Sequence, residues 1–391
     1  LGLGFTTSLH NTTWAASDFV AEEITITARL REESLQDVPV AVSAFSGIQL
    51  ERQNIGDSRD LIGRVPGLFF SQNQSFGPSK TETYIVMRGV GATSAIEPAV
   101  AVFLDGVYMP KMMFDLDFLD LQRMEVLRGP QGALFGRNTQ GGALNLVTRK
   151  PDDELLAKTA LEVDEFNTLK IKGSVSGPLK EGKLFVGMSG QFERTDGYID
   201  NATLGINQDD TERAAFRTTL RALPSDALEV ILVGGFGKTW GGQVGAGVPE
   251  GSNDYVVFDN DVRDIKDDIY NASLTVNWDL EFATLTSITG GVKTNIEAFW
   301  DWDGGADATG NFQLQKIKQS QVSEELRLAS NPVNEKFDWL AGAYIFRSVY
   351  DQDRDFGLVD GTGSTFPPLF NANNVVDEQA RFVNKGIALF G

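Results

Sequence analysis

The feature that most constrains this chain is a period-two alternation of apolar and polar residues that begins after residue 154. In the clearest run, residues 270–279, every second residue is apolar, from Tyr270 to Trp278. Successive side chains of a β-strand point to opposite faces, so the pattern predicts strands with one apolar and one polar face. Ten segments of this kind are present: 155–163, 169–176, 184–193, 213–222, 228–238, 270–279, 283–291, 321–330, 337–349 and 382–391.

The connections between these segments alternate in length from the second connection onward. The short connections are 178–183, 224–227, 281–282 and 331–336, and the long ones are 194–212, 239–268, 292–320 and 350–381. A transmembrane β-barrel has short turns at one end, long loops at the other and strands of ~10 residues. A soluble sandwich or propeller also alternates, but it has no reason to place every long loop at one end. We therefore expect antiparallel transmembrane β-barrel strands in residues 151–391.

Composition excludes several classes of active site. The 391 residues include no Cys and a single His, His10, so cysteine nucleophiles, disulfides and cysteine-ligated metals are ruled out. A Ser-His-Asp triad would have to be built around that one near-terminal residue. The 34 basic and 54 acidic residues give a net charge of −20, which argues against a nucleic-acid surface. Since no nucleophile–base pair or metal cluster is evident, we expect neither an enzyme nor a cofactor.

The N-terminal part of the chain follows a different pattern. Residues 38–150 mix short strands with helical turns, including a predicted helix at 57–64 that ends before Pro66, and indicate an α+β domain. Residues 1–22 are expected to be a signal-peptide remnant or a disordered terminus, because residues 1–16 are small, apolar and uncharged. No stretch of ~20 consecutive apolar residues is present that would predict a transmembrane helix.

A glycine cluster at residues 128–139 superficially suggests a phosphate-binding loop. Only three residues separate Gly132 from Gly136, and Arg137 and Asn138 follow where a Walker A loop has Lys and Ser or Thr. The pattern at 88–91 lacks the third glycine of a dinucleotide fingerprint. We interpret these glycines as tight turns or points of close backbone approach.

Seven short motifs together resemble the plug domain of TonB-dependent outer-membrane receptors. They occur in the family's order at residues 23–28, 65–67, 85–89, 103–108, 125–132, 134–136 and 141–148. The resemblance implies a mainly β protein, with an N-terminal α+β plug at 38–150 and part of an outer-membrane barrel at 151–391. Barrels of this family have about 22 strands, so about ten strands imply that the C-terminal barrel half is missing. It also implies the outer membrane of a Gram-negative bacterium as the location.

The resemblance assigns the segment Glu23, Ile24, Thr25, Ile26, Thr27 and Ala28 as the TonB box, which the inner-membrane-energised protein TonB binds. Its β-branched residues favour extended backbone, and an extended segment can add as a strand to a partner's sheet. We expect it to lie outside the folded part, ahead of a linker ending at residue 37. The alternative is an ordinary first strand of the plug.

The resemblance also implies a lock between plug and barrel. Arg88 and Arg128 match plug arginines that pair with glutamates of the barrel wall. Alternation in the strand 321–330 turns Leu326 and Leu328 to lipid and Glu325 inward, so we expect Glu325 to accept a plug arginine. The alternative is that these charges are solvated in a wet barrel interior.

The function implied is active import of a ferric siderophore or a similar iron chelate. Candidate ligand contacts are Phe76 in a plug apex loop and Phe299, Trp300 and Trp302 in a long outer loop, although such aromatics also suit sugars or a membrane interface. Acidic runs at 259–268 and 301–307 lack EF-hand spacing, and we interpret them as solvated loops. Cobalamin, oligosaccharide or another metal chelate remain alternative cargoes, and a passive barrel or a soluble acidic carbohydrate-binding protein remains the alternative class.

Overall fold

The structure is a computed structural model, and it describes residues 25–27, 33–34, 41–53, 55–56, 59–61, 63–72, 83–91, 98–109, 120–164, 166–242, 255–260, 264–301, 312–331, 339–357 and 375–390. These residues form a small N-terminal unit, the plug, and a ten-stranded antiparallel sheet, the wall. The mainly β class that the alternating pattern predicted is thereby confirmed. None of the helices in these ranges is long and apolar enough to span a membrane.

The plug is built on a five-stranded sheet in the order β3-β8-β9-β6-β7, in which only β9 and β6 are parallel. A separate hairpin pairs β4 with β5, and the first two strands pair with each other. The elements are β1 (Thr25–Ile26), β2 (Glu33–Ser34), β3 (Val42–Ser46), α1 (Gly47–Arg52), a 3₁₀ turn (Arg59–Leu61), β4 (Leu68–Gln72), β5 (Thr83–Met87), β6 (Val100–Leu104), β7 (Val107–Met109), β8 (Leu121–Arg128), α2 (Gly132–Phe135) and β9 (Gly142–Thr148).

Among the described residues of the helix predicted at 57–64, the structure has the 3₁₀ turn Arg59–Leu61, and α1 lies about ten residues earlier. Ser46 begins α1 by accepting a hydrogen bond from the Gln49 main-chain N–H at 3.3 Å, while the Gln49 side chain accepts from the Ser46 N–H at 3.2 Å. This reciprocal capping box satisfies two main-chain donors at the helix start. The helix then buries Leu50 against the sheet.

The wall is a single sheet in which consecutive long strands pair antiparallel. Its strands are β10 (Leu156–Val163), β11 (Leu169–Lys180), β12 (Leu184–Thr195), β15 (Thr211–Ser225), β16 (Leu228–Gly242), β18 (Asp264–Asp279), β19 (Ala283–Asp301), β20 (Phe312–Ser330), β21 (Leu340–Gly357) and β22 (Val375–Phe390). A three-stranded sheet in the connecting loops contains β13 (Asp200–Asn201), β14 (Ile206–Asn207) and β17 (Val256–Val257).

Several wall strands are much longer than the apolar alternation predicted. β19 and β20 each have 19 residues. The predicted segment 283–291 ends near the middle of β19, and the predicted segment 321–330 begins near the middle of β20. Beyond Gly291, the outward positions of β19 become Lys293, Asn295 and Glu297, although pairing with β20 continues to Asp301. The strand pairing therefore extends past the apolar band, into residues where apolar and polar side chains no longer alternate in a way that predicts a strand.

The two faces of the wall differ as the alternation requires. On the inner face, Ile288 and Val292 of β19 are buried in the hydrophobic core of the plug. On the outer face, Leu220, Leu232 and Leu274 lie side by side in register and are 38%, 47% and 39% exposed. Aromatic residues border this apolar band at both ends, with Phe216, Phe236 and Tyr270 toward the long loops and Trp278 toward the short turns. This is the layout of a lipid-facing surface.

The plug approaches the wall closely at Gly290 of β19. A Cβ atom at this position would lie 2.7 Å from Cγ1 of Val107 and 2.8 Å from its Cγ2. Glycine is therefore required for β7 to lie against the wall, since a valine side chain has little rotamer freedom to move away. The adjacent Gly291 points to the opposite face, and a Cβ there would meet no atom within 4 Å.

We predict that Gly290→Ala in the complete protein destabilises the seating of the plug by about 1–3 kcal/mol, the usual cost of overpacking a well-packed contact. The readouts are the thermal unfolding midpoint and the protease sensitivity of the plug. Gly291→Ala is the matched control, because it adds the same methyl group on the open outer face, and it should leave both readouts unchanged. Equal behaviour of the two variants would contradict the close-approach argument.

Candidate functional site

The described part of the N-terminal segment is packed on the plug sheet. Thr25 pairs with Ser34 and Ile26 with Glu33 in a two-stranded antiparallel ribbon. Ile26 is fully buried in a cluster with Phe103, Tyr108 and Leu127, among others. The extended backbone that the β-branched residues favour is therefore used for docking within the chain.

Thr27 joins a polar network in the middle of the same sheet face. Its main-chain N–H donates to Oε1 of Glu125 at 2.8 Å, and its hydroxyl donates to the same oxygen at 3.0 Å. Asn145 Nδ2 donates to the Thr27 hydroxyl at 3.0 Å and to Glu125 Oε2 at 3.2 Å. Arg123 Nε donates to Glu125 Oε1 at 2.8 Å. The network thus ties the segment to both β8 and β9.

Glu125 is the centre of this network, and its side chain is completely buried. A buried carboxylate is tolerated only when it is paired and its oxygens accept hydrogen bonds, and here Arg123, Thr27 and Asn145 provide both. Before the structure, Glu125 was only part of the plug-like motif at 125–132. A single acidic residue between apolar neighbours in a buried strand requires a partner, and this signal would have indicated a polar network at Glu125.

Our expectation that the TonB-box segment lies outside the folded part is wrong for Thr25, Ile26 and Thr27. The reason is the combination of an apolar pocket for Ile26 with the Glu125 carboxylate beside it, which could not be located from the sequence. Glu23, Ile24 and Ala28 lie outside the described residues. Partner binding by the segment stays a prediction.

A cavity of about 830 Å³ lies between plug and wall, next to the docked segment. Thr27, Arg123 and Asn145 line it from the plug, and Glu229, Asn277 and Arg327 line it from the wall. The segment therefore borders open space on the side of the sheet that faces the wall.

The expected lock between a plug arginine and Glu325 is not the pairing in the structure. Oε1 of Glu325 lies 3.1 Å from Nε of Arg327, two residues along the same inward face of β20. Arg88 is exposed in a turn with φ of 51°, and the buried Nε of Arg128 has no hydrogen-bond partner among the described residues. Alternation turned Glu325 inward as expected, but it turned Arg327 inward as well, and Arg327 is the nearer cation.

One of the described contacts that join plug to wall through charge is centred on Arg137. Its guanidinium carbon lies 4.0 Å from the ring centre of Phe346 in β21 and 5.2 Å from that of Tyr108 in β7. Nη2 of Arg137 donates to Oε1 of Gln321 at 3.1 Å, and Nε2 of Gln321 donates to the Tyr108 carbonyl at 3.1 Å. Cation–π stacking and hydrogen bonds in a partly buried setting make this contact specific.

The ligand-contact candidates are only partly covered by the structure. Phe76 and Trp302 lie outside the described residues. Phe299 and the backbone of Trp300 belong to β19, where they pair with Leu314 and Gln313, so their expected place in a loop is wrong. Phe299 follows the outward positions of β19 and does not point to the barrel interior. The strand continued further than its apolar pattern showed.

The described residues of the acidic run 259–268 do not form the expected solvated loop. Asp264, Asp267 and Asp268 belong to β18, and Asp259 and Asp267 are buried. The run 301–307 lies outside the described residues beyond Asp301. In the part of the chain that the structure covers, no group of three acidic, histidine or cysteine side chains is arranged to hold a metal ion.

We predict that Glu125→Gln releases the docked segment, because it removes the charge that Thr27 and Arg123 share. Loss of a hydrogen bond to a charged group costs roughly 1.5–3 kcal/mol. A spin label on Thr25→Cys reports this as increased mobility, and labelling is selective because the printed sequence has no cysteine. Glu51→Gln is the control, since the ion pair of Glu51 with Lys158 is exposed. An equally immobile label in Glu125→Gln would show that the network does not hold the segment.

We predict that Arg137→Ala loosens the plug by roughly 2–3 kcal/mol, through loss of cation–π and hydrogen-bond contacts with the wall. Arg128→Ala should have a smaller effect, because Arg128 has no such contact in the described structure. Protease resistance of the plug in the complete protein measures both variants. A larger effect of Arg128→Ala would instead support Arg128, as the sequence predicted, as the arginine that locks the plug to the wall.

Comparison with known proteins agrees with this architecture. Residues 34–143 match the family model of the TonB-dependent receptor plug domain. The chain is 33% identical over 191 residues to the pesticin receptor of Yersinia pestis, covering 48% of this chain and 28% of that protein. It is 31% identical over 155 residues to the ferrioxamine B receptor of Salmonella typhimurium, covering 38% of this chain and 21% of that receptor. These sequence alignments therefore cover less than a third of the length of each relative.

Solved structures of similar fold include the ferric yersiniabactin uptake receptor FyuA from Yersinia pestis, with a TM-score of 0.68 at 18% identity. That match covers 89% of this chain and 61% of FyuA. The ferric citrate transporter FecA matches with a TM-score of 0.68 at 12% identity, covering 91% of this chain and 55% of FecA. Proteins of this kind lie in the outer membrane of Gram-negative bacteria, which is the location of this chain. The plug-domain match identifies residues 34–143 as the plug domain of a TonB-dependent receptor, and the receptor relatives and the shared fold of plug and wall agree with that family.

Proposed function

We propose that this chain belongs to a receptor that imports an iron chelate, of the ferric siderophore class, across the outer membrane with energy supplied through TonB. The observation that carries the proposal is the packing of the plug against the inner face of the wall, with the TonB-box segment docked on the plug sheet. A plug in this place blocks a barrel, so passage of a solute requires the plug to be moved. Relatives described as ferrioxamine B and ferric yersiniabactin receptors support iron chelates as cargo.

The docked segment suggests how a pull would reach the plug. TonB would bind the segment as an added strand, and binding of this kind needs free backbone donors and acceptors. The Thr27 N–H is occupied by Glu125, and Thr25 and Ile26 already pair with β2. The segment therefore has to be released, at least in part, before TonB docks. While Thr27 remains attached, a pull on it acts on β8 through Glu125 and on β9 through Asn145.

The cargo is the least constrained part of the proposal. A vitamin B12 transporter of Vibrio vulnificus is also similar, at 24% identity over 192 residues, which keeps cobalamin as a second candidate. Oligosaccharides and other metal chelates stay open as well, because Phe76 and Trp302 lie outside the described residues.

We predict that the complete gene restores growth of a strain lacking its own iron receptors on at least one defined ferric siderophore. Growth should require TonB, so the same strain without TonB is the control. Parallel cultures supply cobalamin or an oligosaccharide as the limiting nutrient to strains lacking the corresponding receptor. Rescue by cobalamin or a sugar, with no rescue on any iron source, would overturn the iron assignment and retain the transporter. Growth that does not depend on TonB would overturn the transport mechanism.

A further inference from the structure

The plug is held against the wall by an apolar surface on one strand. Ile288 and Val292 of β19 are buried in the hydrophobic core of the plug, and Gly290 lies between them against Val107. We call Ile288, Gly290 and Val292 the apolar seat. Among the described residues of the other wall strands, the partly buried Ile269 of β18 is the only one that packs on this core. The apolar part of the seal is therefore concentrated on β19.

The inner faces of β12, β15 and β18 carry buried polar groups at the same depth. The strand register places Thr219 and Ser273 level with Gly290, and Ser189 and Arg217 one inward-facing position further toward the long loops. These four residues are only 6% or 7% exposed, and we call them the polar sector. Polar side chains therefore take the place of an apolar seal on this side of the plug.

Charged groups of the plug face the polar sector. Arg217 interacts electrostatically with Asp105, in the turn between β6 and β7, and with Asp120, directly before β8. Asp120 also binds Arg149, directly after β9, at 3.2 Å. Water replaces polar contacts of this kind at a modest net cost, whereas exposing the apolar seat loses its full hydrophobic contribution. The polar sector is therefore the weaker side of the seal.

The seal of the polar sector is also incomplete. Gln191 lies on the inner face of β12 one position beyond Ser189, and it is 6% exposed. Neither the oxygen nor the nitrogen of its side-chain amide has a hydrogen-bond partner among the described residues. Its neighbours on the next two strands, Ala215 and Gly237, offer no polar side-chain group. A buried amide without partners costs free energy, which water or a polar solute recovers by binding it.

The polar sector ends in the cavity between plug and wall. Thr219 lines this space of about 830 Å³, as do Thr275 and Asn277 of β18, nearer the short turns. Ile231 and Val233 of β16 are apolar residues of this region, and both line the same cavity. A volume of this size accommodates a drug-sized molecule. A solute that passes the polar sector therefore enters a space that is already present.

The side of the plug that faces β19 to β21 is closed above the cavity by more specific contacts. Arg137 donates to Gln321 of β20 at 3.1 Å and stacks on Phe346 of β21. The neighbouring strand β7 rests on the apolar seat through Val107. Opening this side requires both contacts to be lost.

The pull in the proposed function acts away from the seat. The N-terminal segment is tied to β8 through Glu125 and to β9 through Asn145, whereas β7 is at the far edge of the plug sheet. Asp120, which faces Arg217, directly precedes β8. The load therefore falls on the side of the plug that faces the polar sector.

We propose that solute crosses between the plug and the polar sector, while β7 stays on the apolar seat. The inference rests on the proposed import function and names the side of the plug on which its passage opens. Hydroxyl, amide and guanidinium groups line the wall of this passage, which suits a hydrophilic chelate. The plug shifts on one side only and stays attached to β19 to β21.

Ser273 and Ser323 provide a matched pair for the test. The register places them on the inner faces of β18 and β20, directly on either side of Gly290, and they are 7% and 8% exposed. Each is replaced by cysteine in the complete protein, which exchanges an oxygen for a sulfur. The printed sequence has no cysteine, and any cysteine outside it is replaced by serine.

Cells with and without TonB are supplied with the nutrients of the growth assay and treated with a small hydrophilic thiol reagent. Labelling of Ser273→Cys should be at least about tenfold faster with TonB than without it, because modification of a buried group follows the population of the open form. Labelling of Ser323→Cys should change by less than about twofold. Denatured samples verify that both thiols react equally when exposed.

A second pair of variants tests the route sterically. Thr275→Trp fills part of the cavity below the polar sector and should lower the maximal uptake rate at least about tenfold, with cargo binding unchanged. Val276→Trp places the same side chain on the lipid-facing side of β18 and should leave both quantities unchanged. The split between rate and binding separates a blocked passage from a misfolded receptor.

Equal TonB-dependent labelling of both cysteines would overturn the proposal, since the plug then leaves the seat as well. Faster labelling of Ser323→Cys alone, or of neither cysteine, would do the same. If no iron chelate supports growth but TonB still accelerates labelling of Ser273→Cys alone, the iron assignment fails and the passage stands. If growth on iron is restored and the two cysteines behave alike, the passage alone fails.

Discussion

The main-chain hydrogen bonds of the wall are the constraint on which the other features depend. Lipid offers no donors or acceptors, so strands that cross it must satisfy each other's backbone groups. The wall does so by pairing consecutive strands antiparallel from β10 to β22. Once that register is set, alternation assigns every side chain to the lipid or to the plug. The apolar band and the plug-contact surface both result from this one assignment.

The plug meets the inner face of the wall through a few specific contacts as well as through its hydrophobic core. Gly290 permits β7 to approach, and Arg137 binds wall residues from two strands. Polar contacts of this kind can be broken and reformed at lower cost than a continuous apolar core, which suits the plug movement that the proposed import requires. The Glu125 network has the same character, because it holds the N-terminal segment by hydrogen bonds around one buried charge.

The parts of the fold that repeat were predictable, and the parts that depend on a single partner were not. Alternation located all ten wall strands, but it placed the end of β19 near residue 291, because Lys293 and Glu297 no longer distinguish the two faces by polarity. It also turned Glu325 inward without showing that Arg327 would be its partner. The helix α1 carries a recognisable capping pair in Ser46 and Gln49. The prediction relied on the proline at 66 instead and placed the helix at 57–64.

By itself, the sequence determined the mainly β class, the orientation of each strand's faces and the order of plug motifs, because these depend on local spacing along the chain. It also determined that these 391 residues contain no cysteine and a single histidine, His10. Only the tertiary structure decided that Ile26 is buried, that Glu125 binds Thr27 and that Arg137 makes the plug-to-wall contact. Thr27 and Glu125 are 98 positions apart in the sequence, and Arg137 and Gln321 are 184 positions apart. Residues so distant along the chain become neighbours only through packing in three dimensions.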